Sequence, residues 1–118
     1  MNSCNFVGTL VHDPDLDSVN NTHVTHFTLA ISQYRRSREG EKIKSTDYFD
    51  FEAWDSGATT IAKHCRKGDE IAINATAKQL RWQDKGNNKS RVRFRVNSFN
   101  IFNDYRYSRE DEFYEKSR

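Results

Sequence analysis

The stretch "TDYFDFEAWDSGATTIAKHCRKGDEIAINA", residues 46–75, changes its hydrophobic periodicity twice. At both ends apolar and polar residues alternate with a period of two, which is typical of half-buried strands. The middle, residues 56–69, has apolar residues four positions apart, with Ser56 as an N-cap and Gly68 as a stop signal. The stretch therefore predicts a strand, a short helix and a second strand.

Strand-like alternation continues on both sides of this stretch. Four segments predict half-buried strands, at residues 23–33, 46–54, 70–82 and 90–96. A shorter and less regular strand is predicted at residues 4–11. Turn-forming residues fill 12–21, and two further segments predict hairpin loops, at 35–42 and 83–88. The inner faces of the four regular strands are predicted to carry Phe27, Leu29 and Ile31; Phe49, Phe51 and Ala53; Ile71, Ile73, Ala75 and Ala77; and Val92, Phe94 and Val96.

The order of elements is three strands, one short helix and two strands. This is the layout of an all-β, five-stranded Greek-key OB-fold barrel with one short helix between strands 3 and 4, and strands 2 and 3 of that fold commonly bind oligonucleotides. An SH3-like barrel fits the same pattern. A length of 118 residues predicts one domain. Because apolar periodicity is lost after Phe102, the domain is predicted to cover 1–103, followed by a short charged flexible tail at 104–118.

Composition and motifs exclude several classes of protein. Charged residues make up 31% of the chain and aromatic ones 13%, so a folded, water-soluble domain is expected. No secretory signal or long apolar run is present, which predicts a cytoplasmic protein without a membrane partner. The acids at positions 13, 15 and 17 are typical of a polar turn rather than a calcium loop. No enzyme motif is present, so catalysis is not expected.

Metal and cofactor sites are not expected either. Cys4 and Cys65 lie far apart without CxxC spacing, and they are interpreted as reduced, buried thiols. His23 and His26 are close in sequence, but zinc needs three or four converging ligands. The chain is therefore predicted to bind neither a metal ion nor a cofactor.

Positive charge is concentrated in two segments although the net charge is only +2. Residues 78–96 contain seven lysines and arginines against one acid, and residues 34–44 contain five against two. A solvated outer face is one explanation of such a charge row, and phosphate binding is the other. Single-strand binders combine a basic groove with aromatic rings on which bases stack.

Aromatic residues lie beside these basic segments, and each ring either stacks on bases or packs in the core. Tyr48 and Trp82 occupy polar-face positions, which favours stacking, whereas Trp54 lies at a strand end where it could instead cover the helix. The candidate nucleic-acid-binding residues are Tyr34, Arg35, Arg36, Arg38, Tyr48, Trp54, Lys78, Arg81, Trp82, Lys85, Lys89, Arg91, Arg93 and Arg95.

Five segments together resemble the bacterial and phage single-stranded DNA-binding protein family: "NFVGTLVHDPDL", "HFTLAIS", "STDYFDFEAW", "AKHCRKGDEIAINA" and "RWQDKGN". The resemblance covers residues 3–102 and lies in the order and spacing of the segments. It implies an OB-fold, sequence-tolerant binding of single-stranded DNA and assembly into a homo-oligomer, a tetramer or dimer. It also implies stacking positions for Tyr48, Trp54 and Trp82.

The chain departs from the family pattern at three places. Family members usually have glycine where Ala75 stands, at a bend. Asp50 and Glu52 place acids between two stacking rings, which should weaken phosphate attraction on that strand. Cellular members usually end in a long linker and an acidic tip that recruits replication and recombination proteins, whereas "EDEFYE", residues 110–115, is either a reduced tip or a solvated acidic tail. The short tail favours a phage origin.

The predicted function is sequence-independent binding of single-stranded DNA, which coats and protects exposed strands in DNA replication, recombination or repair. The expected location is the nucleoid, or the host cytoplasm if the protein is phage-encoded. Two alternatives share the fold: a primosomal-accessory-type interaction module, and an RNA-binding OB domain, since stacking ignores the 2′-hydroxyl. The opening strand is apolar on both faces, and such an edge needs to be covered, so self-association is also predicted.

Overall fold

The computed structural model describes residues 1–102, which form six strands and one helix. The strands are β1 (Cys4–Leu10), β2 (Asp15–Val19), β3 (Thr22–Arg36), β4 (Lys42–Trp54), β5 (Glu70–Asp84) and β6 (Asn87–Ile101), and the helix α1 (Asp55–His64) lies between β4 and β5. The strand order is β1-β5-β6-β4-β3-β2, and β1 also pairs with β3. This second pairing closes five strands into a ring, and the predicted OB-fold with one helix is confirmed.

The ring closes where β1 crosses from β5 to β3. β1 pairs with β5 from Cys4 to Thr9, and with β3 at Thr9 and Leu10. Gly8 is buried at this crossing, and a Cβ added there would lie 2.9 Å from the carbonyl oxygen of Ala30. Since real Cβ atoms do not approach so closely, glycine at this position allows the two strands to meet.

Strand β2 lies within the segment that was predicted to be a turn, and that prediction was wrong. Residues 15–19 pair with β3 as an edge strand, joined to it by Asn20 and Asn21. Both asparagines have positive φ, 50° and 65°, the two-residue turn that suits the twist of a hairpin. All five side chains of β2 are exposed. Because burial does not alternate along β2, hydrophobic periodicity could not detect it.

The predicted inner faces meet inside the ring. Phe27, Leu29, Phe51, Ile71 and Ile73 are buried there, and Phe6 of β1 adds ring contacts at 5.2 Å to Phe51 and 4.8 Å to Phe94. Val92 is the exception to the predicted inner faces, with 55% of its surface exposed. It lies where β5 and β6 extend past the ring as a hairpin, so nothing from the core covers it.

The helix begins earlier and ends earlier than predicted. α1 starts at Asp55, and the N-cap residue is Trp54, which makes no side-chain capping hydrogen bond. The prediction of Ser56 as N-cap was therefore wrong. Gly68 does not end the helix either, because residues 66–69 form a separate turn in which Asp69 Oδ2 accepts the Arg66 backbone N–H at 2.9 Å.

Alanine at position 75, where glycine is usual and a change of barrel curvature was expected, lies beside an irregularity in the sheet. The pairing of β5 with β6 shifts register between Asn74 and Ala75, so that Asn97 is an extra residue on β6. A bulge of this kind bends the strand.

No helix within residues 1–102 has the length and apolar character needed to cross a membrane.

Candidate nucleic-acid interface

Two hairpins extend beyond the ring and are named here the first arm, residues 32–46 of β3 and β4, and the second arm, residues 78–93 of β5 and β6. β4 and β6 run parallel and pair at Phe51↔Phe94 and Glu52↔Arg95. The turns that precede two parallel strands lie at the same end of the sheet. At about 3.3 Å per residue, the arm tips lie roughly 26 to 33 Å from this pairing. Both arm tips therefore lie at the same end of this pairing.

The second arm carries the Trp82 ring and several lysines and arginines on one face. Directly opposed residues of antiparallel strands project to the same side. Trp82 is opposed to Lys89, and Lys78 to Arg93, with Arg91 between them. All lie on the outer face, meaning the side of the sheet opposite the core. Trp82 is 46% exposed, so a base could reach its ring.

Two of the basic residues predicted to bind nucleic acid do not share the face that carries Trp82. Arg81 projects to the other side of the second arm, where its Nε and Nη2 donate to Gln79 Oε1 at 3.0 and 2.6 Å. Lys85 lies at the tip, in a two-residue turn with Gly86, where φ is 52° and 81°. Of the basic residues in this arm, these two therefore do not lie beside the Trp82 ring on the outer face.

Two tyrosines lie on the outer face, Tyr34 in the first arm and Tyr48 just outside it. Tyr34 is opposed to Lys44, and Tyr48 at the base of the arm is opposed to Ala30, which leaves Tyr48 64% exposed. Lys42 Nζ lies 4.3 Å from the centroid of the Tyr34 ring, a cation–π contact that covers one side of it. Tyr48 is therefore the more accessible of the two tyrosines.

The remaining arginines of the first arm lie around its tip. Arg36 shares the outer face, and its Nη1 donates to the Gly40 carbonyl oxygen at 3.0 Å. Arg35 is opposed to Ile43 and projects to the other side, and Arg38 lies in the loop. Lys42 and Lys44 were missed as site residues by the sequence reasoning. Both precede Tyr48 on β4 by an even number of residues, so strand alternation would have placed them on its polar face.

Glu52 lies at the base of the two arms, between β3 and β6. It was predicted on an exposed polar face, but its side chain is only 8% exposed. Its Oε1 accepts the Arg95 Nε–H at 3.2 Å, and its Oε2 lies 3.9 Å from Arg93 Nη1. Glu52 therefore neutralises part of the charge of two predicted phosphate ligands. Asp50 stays exposed, and the Thr28 hydroxyl donates to its Oδ1 at 2.8 Å.

Trp54 lies beside this group and is partly buried. The guanidinium carbon of Arg95 lies over its ring, 5.6 Å from the centroid. Its indole Nε1 is buried and has no hydrogen-bond partner among residues 1–102. Unlike Trp82, Trp54 thus has a guanidinium over its ring.

The structure therefore gathers most of the candidate residues on one surface. The outer face carries Tyr34, Arg36, Tyr48, Trp54, Lys78, Trp82, Lys89, Arg91, Arg93 and Arg95. Arg38 and Lys85 lie at the arm tips, and Arg35 and Arg81 project to the opposite side. Within the described part of the chain, no group of three or more histidine, cysteine or acidic side chains is placed to hold a metal ion.

Comparisons with known proteins agree on one family. A family model described as the single-strand binding protein family matches residues 1–102. The single-stranded DNA-binding protein 1 of Synechocystis is 29% identical over 113 residues, which span 93% of this chain and 90% of that protein. The single-stranded DNA-binding protein of Aquifex aeolicus is 26% identical over 104 residues, 87% of this chain and 71% of that protein.

Solved structures share the fold. The single-stranded DNA-binding protein of Plasmodium falciparum, in complex with single-stranded DNA, superposes with a TM-score of 0.74 at 22% identity, covering 86% of this chain and 92% of that one. A deletion mutant of the Thermus aquaticus single-stranded DNA-binding protein gives a TM-score of 0.76 at 19% identity. The matched region covers 86% of this chain and 50% of the Thermus chain, so this chain spans about half the length of that protein.

Proposed function

Because the chain belongs to the single-strand binding protein family, we propose that it coats single-stranded DNA without sequence preference and so protects exposed strands during replication, recombination or repair. Members of this family are binding proteins rather than enzymes. The observation that carries the proposal is the shared outer face of the two arms, where exposed rings lie among lysines and arginines. We place the activity in the cytoplasm, on the nucleoid of a cell or on phage DNA in its host.

In this proposal the aromatic rings of the outer face contact the nucleobases, and its lysines and arginines contact the phosphates. Tyr48 and Trp82 offer exposed rings, and stacking tolerates any sequence because every base has a π-face. Arg91, Lys89 and Lys44 carry charge beside those rings on the same face. A duplex keeps its bases stacked on each other, so it can use the charges but not the rings. The arrangement therefore favours unpaired strands.

Self-association is supported by the free edge of β1. One side of β1 pairs with β5 from Cys4 to Thr9, but the other pairs with β3 only at Thr9 and Leu10. The stretch 4–8 therefore has an edge with no strand beside it among the described residues, and Val7 on it is 52% exposed. Such an edge is a template for pairing with another chain. We propose a homo-oligomer that uses this edge.

The tail predicted at 104–118 lies outside the described residues. Its role in recruiting replication or recombination proteins through "EDEFYE", residues 110–115, remains a proposal that rests on the sequence.

A competition experiment tests the function. A fluorescent oligo-dT is bound to the full chain and displaced with unlabelled oligo-dT, oligo-rU or duplex DNA of the same length. We expect oligo-dT to compete at least about tenfold better than duplex, since each stacked base contributes about 1 to 3 kcal/mol. Equal competition by duplex would contradict the stacking site. Tighter binding of oligo-rU would instead identify an RNA-binding domain.

A further inference from the structure

Trp54 differs from the other candidate rings in what covers it. Tyr48 and Trp82 are open to solvent on the outer face, whereas the Arg95 guanidinium lies over the Trp54 ring, 5.6 Å from its centroid. The indole Nε1 of Trp54 is itself buried. One face of the Trp54 ring is therefore occupied by the Arg95 guanidinium rather than open to a nucleobase.

Glu52 holds Arg95 in that position. The Arg95 Nε–H donates to Glu52 Oε1 at 3.2 Å, and the Glu52 side chain is itself nearly buried. Two neighbouring strands fix the backbone of Glu52, since it is opposed to His26 on β3 and to Arg95 on β6. The guanidinium is thus held by a charge-assisted hydrogen bond at Nε and by the indole ring beneath it.

The held guanidinium keeps an open outer side. The Arg95 side chain is 46% exposed, and neither of its Nη atoms has a hydrogen-bond partner among residues 1–102. A guanidinium is planar and weakly hydrated, and unpaired bases stack on such planes. Glu52 shares one negative charge between Arg93 and Arg95, so the three side chains together carry +1 rather than +2. That sharing weakens the attraction of a phosphate and leaves stacking unaffected.

We propose that Arg95, positioned by Glu52 over Trp54, is a nucleobase-contacting residue of the interface. The third stacking position beside Tyr48 and Trp82 is then the face of a guanidinium supported by an indole, rather than an indole alone. This inference rests on the proposed function, because it concerns the same bound strand. Arg91, which has no carboxylate partner among the described residues, contacts phosphate instead.

The test separates contact with a base from contact with a phosphate. Arg95→Lys keeps the charge and removes the plane, and Arg91→Lys is the matched control on the same strand and face. Each protein is titrated with oligo-dT and with an abasic oligonucleotide of the same length. Arg95→Lys should lose about fivefold on oligo-dT, the lower end for one stacking partner, and less than about twofold on the abasic strand. Arg91→Lys should change both affinities by the same factor.

The possible results lead to distinct conclusions. If Arg95→Lys loses affinity equally on both oligonucleotides, Arg95 is a phosphate ligand and the inference is wrong. If it keeps wild-type affinity on both, Arg95 takes no part in binding, and the inference is again wrong. A wild-type protein that fails to bind oligo-dT would overturn the proposed function and this inference together, so the two failures are distinguishable.

The role of Glu52 as a positioning residue has its own test. Glu52→Gln keeps an oxygen near Arg95 but removes the charge that holds it. If Glu52 acts through Arg95, the losses of Glu52→Gln and Arg95→Lys on oligo-dT should not add in the double variant. Additive losses would show that Glu52 acts independently of Arg95, and circular dichroism would confirm that each variant is folded.

A fluorescence experiment tests whether Arg95 covers the ring. The chain has two tryptophans, so Trp82→Phe leaves Trp54 as the single indole reporter. In that background, Arg95→Ala should increase the quenching of Trp54 by acrylamide in the free protein and by oligo-dT in the complex. Identical quenching with and without Arg95 would mean that the guanidinium does not lie between the ring and the bound strand.

Discussion

Trp82 and Val92 lie on opposite faces of the second arm and are exposed to similar extents, 46% and 55%. If bases stack on the outer face, Trp82→Ala should weaken binding of oligo-dT by about 1 to 3 kcal/mol, with little change in its salt dependence. Val92→Ala, on the other face, should bind normally. Fluorescence anisotropy at several salt concentrations measures both quantities. A folded Trp82→Ala protein with wild-type affinity would make the ring structural.

The arginines of β6 should differ in how they respond to salt. Arg91 is exposed, whereas the Arg93 side chain is 20% exposed and lies near the Glu52 carboxylate. Releasing counterions from one phosphate contributes about 0.7 to the log–log slope for a single strand. Arg91→Ala should therefore lower the slope by about 0.7, and Arg93→Ala by distinctly less. Equal changes in slope would show that Glu52 does not withdraw Arg93 from the phosphates.

The sequence predicted the faces of single residues better than their partners. Strand alternation placed Tyr48, Trp82 and Arg91 on the polar side, where they lie. The same alternation separates Arg81 from Trp82, a signal that was present in the sequence but not used. The pairing of Glu52 with Arg93 and Arg95 could not be predicted, because it depends on β4 and β6 lying side by side although they are more than thirty residues apart in the chain.

At the level of elements, closure of the ring depends on the close approach of β1 to β3. Gly8→Ala would bring a methyl group to 2.9 Å from the Ala30 carbonyl oxygen and should destabilise the fold by about 1 to 3 kcal/mol. Gly57→Ala is the matched control, because its Cβ would meet only Phe99, at an ordinary 3.7 Å, and alanine favours the helix. Denaturant unfolding measures both. Equal stability of the two variants would mean that the strands can separate at the crossing without cost.

The elements that the sequence predicted are those with regular burial. β3 and β5 alternate between buried and less buried positions over their ring-forming halves. β2 has no buried face, and the end of α1 is set by the turn at 66–69, where Asp69 accepts a backbone hydrogen bond rather than Gly68 ending the helix. Both features arise from contacts across the fold or from turn geometry, which hydrophobic periodicity does not describe.

At the scale of the whole molecule, the two edges of the sheet are expected to differ in their tendency to pair with another chain. Within residues 1–102, β1 leaves residues 4–8 without a neighbouring strand on one side, and β2 is the outermost strand at the other end of the sheet. Edge strands with several charged side chains resist pairing, and β2 carries Asp15 and Asp17, whereas the open part of β1 carries no charge. We therefore expect identical chains to associate through β1.

Lysine substitutions at the exposed valines of the two edges test this expectation. Val7 on β1 and Val19 on β2 are 52% and 45% exposed, so neither substitution disturbs the core. Light scattering at micromolar concentration should give the wild-type chain a mass of at least two subunits of 13.9 kDa. Val7→Lys should shift the mass toward one subunit, because an edge lysine opposes strand pairing, and Val19→Lys should not. Equal effects of the two lysines would exclude β1 as the specific contact. A monomeric wild-type protein would also exclude it, and it would leave the two arms of a single chain as the complete binding surface.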